Sequence, residues 1–511
     1  FEQIGSKSAL ALAEEFVNPE MGVETAEDAV NGASDIIAEM ISDNATVRNA
    51  LRTLFWREAL VTSEKIEASK DEKGTYTTYY EFGEAISKIA GYKILALDRG
   101  EKEKILKVSI SCPRELIFGA AASLILKKGF SLTIETVKIA LEDSLTRLIV
   151  PSMEREIRSD LTEKAAAGAI KVFGLNLKPL LMQPPVKGKV ALGFDPGYRT
   201  GCKVAVVDGT GKVLDTGVVY PTMPRNDILG AGKKIKELIT KHKVEIIAIG
   251  NGTASKESEI FISDLIKEIP FSVSYMVVSE AGASVYSASK LAADEFPEYD
   301  VSLRSAVSIA RRLQDPLAEL VKIDPKAIGV GQYQHDMPKA QLDDTLKGVV
   351  EDCVNTVGVD VNTASFSLLS YIAGIGPSLA KSIVAFREEN GHFNSRKEFL
   401  SVPKLGKKAF TQCAGFLRVS ESENLLDNTA VHPESYKSAK ELLSLCGYKL
   451  SDLGKITQQE FMEKINSLGE ASIAEKVGVG IPTLTDMVSE ILKPGRDVRD
   501  ELPPPILRSD L

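Results

Sequence analysis

The stretch from Lys189 to Leu313 contains the pattern that most constrains the fold of this chain. Short apolar runs alternate there with amphipathic helical patterns, and the turn at 208–211 joins the second and third runs as a hairpin. The predicted order is therefore βββαβαβα. The predicted strands are Val190–Phe194, Cys202–Val207, Val213–Tyr220, Glu245–Ile249 and Ser272–Val278, and the predicted helices are Ile228–His242, Ser255–Ile269, Gly282–Ala293 and Ser302–Leu313.

This order predicts a mixed sheet covered by helices, the arrangement of a ribonuclease H-like α/β domain. Residues 1–183, which precede it, have mainly helical apolar spacing, for example at Ala26–Met40, Ala45–Leu60 and Ile134–Ile149. Two short strands are predicted within that region, at Leu95–Arg99 and Ile105–Ile110. The consecutive prolines at 184 and 185 cannot continue a helix, so a linker is predicted between the two regions.

An internal repeat follows the α/β region. The segments Ile372–Ala380 and Val402–Phe410 each place a tight turn containing glycine between two short helical patterns. Such a turn leaves backbone N–H groups exposed at a helix N-terminus, where they can bind phosphate. Two turns about 30 residues apart predict a tandem helix-hairpin-helix domain that holds a nucleic-acid backbone. The predicted contacts are Gly374, Gly376, Ser378, Lys381, Lys404, Gly406, Lys407 and Lys408. The alternative is an ordinary helical domain whose lysines lie on a solvated face.

Charge is distributed unevenly along the chain. With 62 basic and 71 acidic residues the net charge is -9, which by itself argues against nucleic acid as a partner. Between Phe366 and Val419, however, eight basic residues face three acidic ones, so this segment carries +5 and the remainder -14. A basic segment on an acidic chain indicates an interaction surface, and here it coincides with the glycine turns.

A second candidate site lies at the end of the first strand of the α/β region. Asp195 occupies the position where nucleases of this fold hold Mg²⁺, but phosphodiester hydrolysis needs about three carboxylates. The position after the fourth strand is the neutral Asn251, Asp315 is a candidate third member, and Glu280 is a candidate substitute. The site is therefore expected to be degenerate, without a metal. The alternative is that Asp195 and Asn251 only satisfy turns and helix ends.

Other features exclude several classes of protein. The five cysteines are far apart, without a C-x-x-C pair, so neither a zinc site nor a disulfide framework is expected. No apolar run approaches the ~20 residues that span a bilayer. We therefore expect a cytoplasmic chain without membrane contact, most simply a monomer.

The turn Gly478-Val479-Gly480 is similar to the two hairpin turns, but no lysine cluster follows it, so it is not counted as a binding element.

Several long segments resemble one family. GFDPGYRTGCKVAVVD, AIGNGTASKE, VVSEAGASVYSAS, VVEDCVNTVGVDVNTAS and NTAVHPESY, together with the segment SLRSAVSIARRLQDPLAELVKIDPKAIGVGQYQHD, are similar to the bacterial Tex transcription accessory family, which is related to a eukaryotic transcription elongation factor. The resemblance implies a YqgF-like ribonuclease H-fold domain and a tandem helix-hairpin-helix domain. It also implies that the extreme N-terminus and a C-terminal S1 domain are missing, and that Asp195 and Asp315 are the resolvase-type carboxylates.

The sequence thus predicts a multidomain, mainly α chain. The predicted parts are a helical Tex-type region at 1–183, the YqgF-like domain at 187–316, a connecting loop and helix at 317–365, the helix-hairpin-helix domain at 366–420, a helical domain at 421–492 and a linker towards the S1 domain at 493–511. The predicted function is non-catalytic binding of RNA or DNA in transcription. Two alternatives remain: an Mg²⁺-dependent, structure-specific endonuclease, and a protein scaffold that docks RNA polymerase or the ribosome.

Overall fold

The computed structural model describes residue 3, residues 7–127 and residues 131–509. The chain divides into two compact units. The first unit contains residues 1–172 and 333–339, and the second contains residues 173–332 and 340–511. Among the described helices, none combines the length and the apolar character that crossing a membrane requires.

The first unit is mainly helical, with one small antiparallel sheet in the order β2-β1-β3. Its elements are α1 (Ala9–Ala13), α2 (Ala26–Ser42), α3 (Ala45–Glu58), β1 (Leu60–Lys65), β2 (Glu81–Ala85), α4 (Gly91–Lys102), β3 (Leu106–Ser111), α5 (Arg114–Ile125), α6 (Ile134–Asp143), a π-helical segment (Ser144–Ile149) and α7 (Val150–Leu181), which continues into the second unit. Thr25 begins α2 with a capping box, because its hydroxyl accepts from the Asp28 N–H while the Asp28 carboxylate accepts from the Thr25 N–H.

One strand prediction in this unit is confirmed and one is wrong. The strand expected at Ile105–Ile110 is β3, whereas Leu95–Arg99 lies inside α4. Leu95, Ala96 and Leu97 are all buried in that helix. A short apolar run does not distinguish a buried strand from a helix that is buried on several sides, so the pattern alone could not decide.

The second unit begins with the α/β domain. Its elements are β4 (Ala191–Asp195), β5 (Cys202–Val207), β6 (Val213–Val219), α8 (Ile228–His242), β7 (Ile246–Gly250), α9 (Ser255–Ile266), β8 (Ser274–Val278), α10 (Ala283–Ser287), α11 (Lys290–Glu295) and α12 (Val301–Gln314). The sheet order is β6-β5-β4-β7-β8; β5 pairs antiparallel with β4 and β6, and β7 pairs parallel with β4 and β8. The predicted order of strands and helices is confirmed, except that the helix predicted at Gly282–Ala293 is two short helices, α10 and α11.

Alternate side chains of these strands pack on opposite faces of the sheet. Leu192 and Phe194 lie in a core with α8 and α9, whereas Ala191 lies in a second core with α12. Gly193 also faces α12, and a Cβ at this position would lie 2.0 Å from the carbonyl oxygen of Ala306. The close approach of helix and strand therefore requires glycine, and it fixes α12 directly behind β4.

The remaining elements of the second unit are mostly short helices. They are α13 (Pro316–Leu320), α14 (Lys339–Val357), β9 (Val359–Asp360), α15 (Phe366–Leu369), α16 (Pro377–Asn390), α17 (Lys407–Cys413), β10 (Leu417–Arg418), α18 (Tyr436–Leu445), α19 (Gln458–Leu468), α20 (Glu470–Val477) and α21 (Ile481–Leu492). The strands β9 and β10 form a short parallel pair. Helices α18 to α21 enclose a hydrophobic core of their own.

The segment expected to be a free linker, 493–511, is instead attached to the α/β domain over its described part. The buried Arg499 pairs with Asp315, and Arg508 pairs with Glu259. Backbone hydrogen bonds of 2.8 and 2.9 Å join Arg508 to Tyr275 of β8, so the segment pairs with the edge strand of the sheet through one isolated antiparallel bridge. This contact could not be predicted from the sequence, because prolines and charged residues are equally typical of a solvated linker. Residues 510 and 511 lie outside the described part of the chain.

Candidate nucleic-acid interface

The first hairpin turn (Gly374–Gly376) connects α15 to α16. Gly374 has a φ of +81°, in the left-handed region that favours glycine. Gly376 is the N-cap of α16, with φ -83° and ψ 171°, and no side chain caps this helix end. Gly374, Gly376 and Ser378 are exposed, whereas Ile375 is buried. The turn therefore buries one apolar side chain and presents the N-terminus of a helix to solvent, where the first N–H groups have no partner within the helix.

The second hairpin turn (Lys404–Gly406) repeats this geometry. Gly406 is the N-cap of α17 with φ -79° and ψ 172°, again without a side-chain cap. Lys404 takes the place of Gly374 and has a φ of +71°, which is a strained conformation for a residue with a side chain. Lys404, Lys407 and Lys408 are exposed, and Leu405 is buried as Ile375 is. The internal repeat read from the sequence is thus a repeat of backbone conformation.

The structure brings the two hairpin turns together. The Lys404 ammonium lies 3.3 Å from the hydroxyl oxygen of Ser378, at the start of α16. The first turn packs on α17, since a Cβ at Gly374 would lie 2.7 Å from Cβ of Gln412. Lys381 lies one turn further along α16, with its ammonium 5.7 Å from the ring centroid of Phe366. All eight residues predicted as backbone contacts therefore belong to one pair of adjacent turns and the helices that follow them.

The structure corrects the charge count for this segment. Three of its eight basic residues are arginines that point inward: Arg387 donates to the Val361 and Ala364 carbonyl oxygens, Arg418 donates to the Arg496 carbonyl oxygen, and Arg396 is 1% exposed. The remaining five are exposed lysines, at positions 381, 397, 404, 407 and 408. When the three glutamates of the segment are counted against these five lysines, the excess of positive charge at the surface is smaller than +5. The positive charge is nevertheless concentrated at the two hairpin turns.

A third hairpin turn (Gly478–Gly480), which the sequence prediction did not count, has the same construction. Gly478 has a φ of +69°, and Gly480 is the N-cap of α21 with φ -73° and ψ 158°. Pro482 lies in the first turn of α21, much as Pro377 does in α16. The signal in the sequence was the Gly-x-Gly spacing followed by proline. The turn is named from the sequence alone but not counted, because no lysine cluster follows it; lysines determine charge rather than backbone shape.

The carboxylate site of the α/β domain is centred on Asp195, at the carboxyl end of β4. Burial raises the pKa of Asp195 to about 6, and the negative charge of Glu280 adds to this increase. A hydrogen bond from Ser305 of α12 and the Lys203 ammonium act in the opposite direction. The helix position that faces the aspartate is therefore occupied by a serine, where a third metal-binding carboxylate would be needed.

Asn251 directly follows β7 and holds the turn after β8. Its side-chain oxygen accepts a hydrogen bond of 3.0 Å from the Glu280 N–H. The Glu280 carboxylate lies over Gly252, where a Cβ would come within 1.6 Å of Oε1, and its Oε2 is buried without a hydrogen-bond partner. Asn251 thus acts as a turn-stabilising residue, and Glu280 is the carboxylate that the structure brings near Asp195.

Asp315 lies elsewhere in the domain. It follows α12, caps α13 and binds the Arg499 guanidinium at 2.7 Å. Because Gln314 donates to the Lys189 carbonyl oxygen just before β4, this end of α12 lies at the opposite end of the strand from Asp195. About ten helical residues separate Ser305 from Asp315, or roughly 15 Å. The structure does not bring Asp195 and Asp315 together.

Within the described residues there is no group of three or more His, Cys, Asp or Glu side chains that could hold a metal ion. Asp195 and Glu280 form only a pair, with an asparagine and a serine in the positions that would complete the set. These side chains do not fit the three-carboxylate arrangement expected of a magnesium-dependent nuclease.

Comparison with protein families agrees with this architecture. Residues 5–173 match the Tex central region-like family, and residues 189–314 match the Tex protein YqgF-like domain. Residues 354–418 match the helix-hairpin-helix motif. Residues 424–499 match a further HHH domain, which contains the third hairpin turn. The predicted fold class is confirmed, and the helical region after residue 421 is also of the helix-hairpin-helix kind.

Individual relatives are similar over nearly the whole chain. "Uncharacterized protein YdcI" of Bacillus subtilis is 49% identical over 502 residues, which are 98% of this chain and 69% of the relative. "Protein tex" of Bordetella pertussis is 44% identical over 505 residues, covering 96% and 63%. "Transcriptional accessory protein Tex" of Neisseria gonorrhoeae is 43% identical over 499 residues, covering 96% and 64%. The chain spans about two thirds of the length of these relatives, and it belongs to the Tex family.

Proposed function

We propose that this protein is a nucleic-acid-binding accessory factor of transcription, in which the two adjacent hairpin turns hold the phosphates of an RNA or DNA backbone. The observation that carries the proposal is the paired geometry of the turns. Two uncapped helix N-termini with nearly identical backbone conformation lie side by side, linked by Lys404 and Ser378, with exposed lysines around them. The name of the Neisseria gonorrhoeae relative supports the role in transcription.

The contacts would be made chiefly by the backbone. The free N–H groups at Gly376, Ser378, Gly406 and Lys407 supply donors for phosphate oxygens, and the positive ends of two helix dipoles favour the negative charge. Lys381, Lys407 and Lys408 add attraction that does not depend on base sequence. Because phosphates are common to RNA and DNA, this site selects a backbone and its spacing, while the choice between the two nucleic acids depends on other contacts.

The α/β domain acts in this proposal as a platform without nuclease chemistry. Asn251 and Glu280 support a turn, and Asp315 supports the attachment of the C-terminal segment. No cofactor is needed for backbone binding by hairpin turns. Such a factor would act in the cytoplasm, where bacterial transcription takes place.

The test is a titration of the full chain against fluorescently labelled single-stranded RNA and duplex DNA of several sequences. The variant Lys407→Glu/Lys408→Glu should bind all of them more weakly, and its salt dependence should flatten by roughly one unit of slope per lost phosphate contact. The matched control is Lys437→Glu/Lys440→Glu, which makes the same charge change at two exposed positions of α18.

Equal losses in both double variants would mean that only overall charge matters, and the hairpin turns would no longer be the site. Unchanged affinity in the Lys407→Glu/Lys408→Glu variant would overturn the proposal directly. The same samples, incubated with Mg²⁺ and analysed on denaturing gels, test the platform role, because cleavage products that vanish in Asp195→Ala would show an active nuclease.

A further inference from the structure

A groove on the α/β domain is independent of both sites described above. It runs between α8 and α9 and has a volume of about 1150 Å³. Its floor contains Gly232, Phe261 and Leu265, and its open end is formed by the loop before α8. Since pockets for small ligands usually have volumes of roughly 300–1,000 Å³ and enclose their ligand, an open groove of this size is better suited to a longer partner.

Large apolar side chains are exposed along this groove. Leu229 is 89% exposed, Met223 is 64% exposed, and Ile228 and Ile260 are about half exposed. These four side chains all line the same groove. Isolated exposed apolar residues are common on proteins, but a contiguous apolar surface rimmed by charged residues is typical of an interaction site.

The two walls of the groove carry opposite charges. The charged lining residues of α8 are three lysines, at 233, 236 and 241, and one glutamate, at 237. The charged lining residues of the other wall are all acidic: Glu257 and Asp264 in α9, and Glu268 two residues after its end. Lys236 and Glu268 form an ion pair that joins the walls. A partner that fits this groove therefore needs an apolar face between one acidic flank and one basic flank.

The backbone of the groove excludes an extended peptide as a good fit. Both walls are helices, of 15 and 12 residues, whose N–H and C=O groups are bonded within the helix. An extended peptide would therefore find no sheet edge to pair with. Nucleic acid is disfavoured by the carboxylates of Glu257, Asp264 and Glu268 on one wall. The walls are about 18–22 Å long, which matches three to four turns of a helix.

We propose that the groove between α8 and α9 is a docking site for an amphipathic helix of a partner protein, one that places acidic side chains towards α8 and basic side chains towards α9. Its apolar face would cover Leu229, Met223 and Ile260 and pack on Phe261. This surface lies on other elements of the second unit than the hairpin turns, and it does not depend on the proposed nucleic-acid site.

The experiment uses the full chain and three fluorescein-labelled designed helical peptides of about 16 residues. All three have the same leucine face; their flanks are mixed (glutamate on one side and lysine on the other), all glutamate or all lysine. The mixed peptide should bind at least about tenfold more tightly, because each of the other two places one flank against a wall of like charge.

Two variants locate the peptide. Leu229→Asp places a charge on the apolar surface at a highly exposed position that folding does not require, and Gly232→Trp fills the floor. Each should weaken binding of the mixed peptide about tenfold and leave nucleic-acid binding unchanged. The matched control is Leu175→Asp on α7, where the leucine is 61% exposed and outside the groove.

Equal binding of the three peptides, or equal effects of Leu229→Asp and Leu175→Asp, would overturn the proposal. Sedimentation of the chain alone provides one more outcome. A dimer that Leu229→Asp dissociates would assign the groove to a second copy of this chain, and the partner helix would then be rejected.

Discussion

The ammonium of Lys404 lies 3.3 Å from the hydroxyl oxygen of Ser378, so a residue of the second hairpin turn holds the start of the helix that follows the first. Lys404 also has a φ of +71°, whereas the equivalent position of the first turn is a glycine with a φ of +81°. The two turns therefore share one backbone shape, but only one of them has an unstrained residue. Lys404 thus places a positive charge between the two turns, and its backbone is locally strained as a result.

The strain at Lys404 predicts that Lys404→Gly makes the fold more stable and nucleic-acid binding weaker. Relief of roughly 1–2 kcal/mol of left-handed strain, less the entropic cost of glycine, should raise the free energy of unfolding by about 0.5–1 kcal/mol. Nucleic-acid affinity should fall, because one ammonium is lost beside the proposed phosphate site. Urea denaturation and fluorescence anisotropy measure the two effects.

The control for that change is Lys408→Gly, in the first turn of α17. It removes the same charge at a helical position, so affinity should fall while the free energy of unfolding also falls, by about 0.5–1 kcal/mol. If both glycine variants were destabilised to the same degree, Lys404 would not be strained and the first prediction would be wrong.

Asp195 predicts an unusual dependence of stability on pH. Its pKa is raised to about 6, above the ordinary value of 3.8, so the folded state holds the proton more tightly than the unfolded state does. Ionisation of Asp195 therefore lowers the free energy of unfolding. This loss is absent below about pH 4 and is complete once the pH has risen through 6. Asp195→Asn removes the ionisation, and the variant should be more stable than the parent chain by about 1–3 kcal/mol at pH 8, with little difference at pH 4.

The matched control is Asp215→Asn, where hydrogen bonds from Lys241 and His242 lower the pKa of the aspartate to about 2. Its stabilising effect is present above about pH 4 and is lost as the pH falls towards 2, so the asparagine variant should be less stable at pH 8. If Asp195→Asn were also less stable at pH 8 when Mg²⁺ is present, a metal would be stabilising the Asp195 carboxylate, and the degenerate site would need to be reconsidered.

Much of the α/β domain could be predicted from the sequence, because strands such as β7 are continuous apolar runs separated by amphipathic helices such as α8. The site was harder to predict. The sequence places Asp315 at the end of a helix, but α12 runs along β4 so that its first half, at Ser305, faces Asp195. Sequence spacing does not reveal which end of a helix meets which end of a strand.

Arg499 is the residue on which the attachment of the C-terminal segment most depends. It is 2% exposed and pairs with Asp315 and Asp497. Arg499→Met leaves Asp315 without its cation and Asp497 with that of Lys187 alone, and it should lower the free energy of unfolding by about 3–5 kcal/mol. Arg496→Met, which changes a more exposed neighbour, should cost less than about 1 kcal/mol. Chemical denaturation compares the two, and similar losses would show that the buried pairing is unimportant.

The edge of the sheet supplies a prediction for hydrogen exchange. The Tyr275 N–H donates to the Arg508 carbonyl oxygen, and the Arg508 guanidinium pairs with Glu259 at 2.9 Å. Arg508→Glu places two like charges together, so the Tyr275 amide should exchange faster while the Ile247 amide of the inner strand β7 is unaffected. Unchanged protection of Tyr275 would mean that the backbone pairing does not need the ion pair.

The buried arginines explain why the net charge of a segment only partly predicts the charge at its surface. The excess of +5 coincides with the hairpin turns, yet Arg387, Arg396 and Arg418 serve the interior. Long side chains with several donors can satisfy carbonyl groups in loop-rich domains, and a charge count cannot separate them from surface residues. A charge count also misses the third hairpin turn, because the shape of that turn depends on glycines and not on charged residues.

Arg396 has a further consequence. Its guanidinium donates to the carbonyl oxygens of Leu417, Leu426, Thr429 and Val431 and to the hydroxyl of Tyr436, and so ties the tandem hairpins to the start of the next domain. The hydrogen bonds of Arg396 therefore hold the two domains at one spacing. If the proposed nucleic-acid site is correct, a strand that reaches beyond the first two turns would have to match the spacing that Arg396 holds. Recognition would then depend on the bend of the strand.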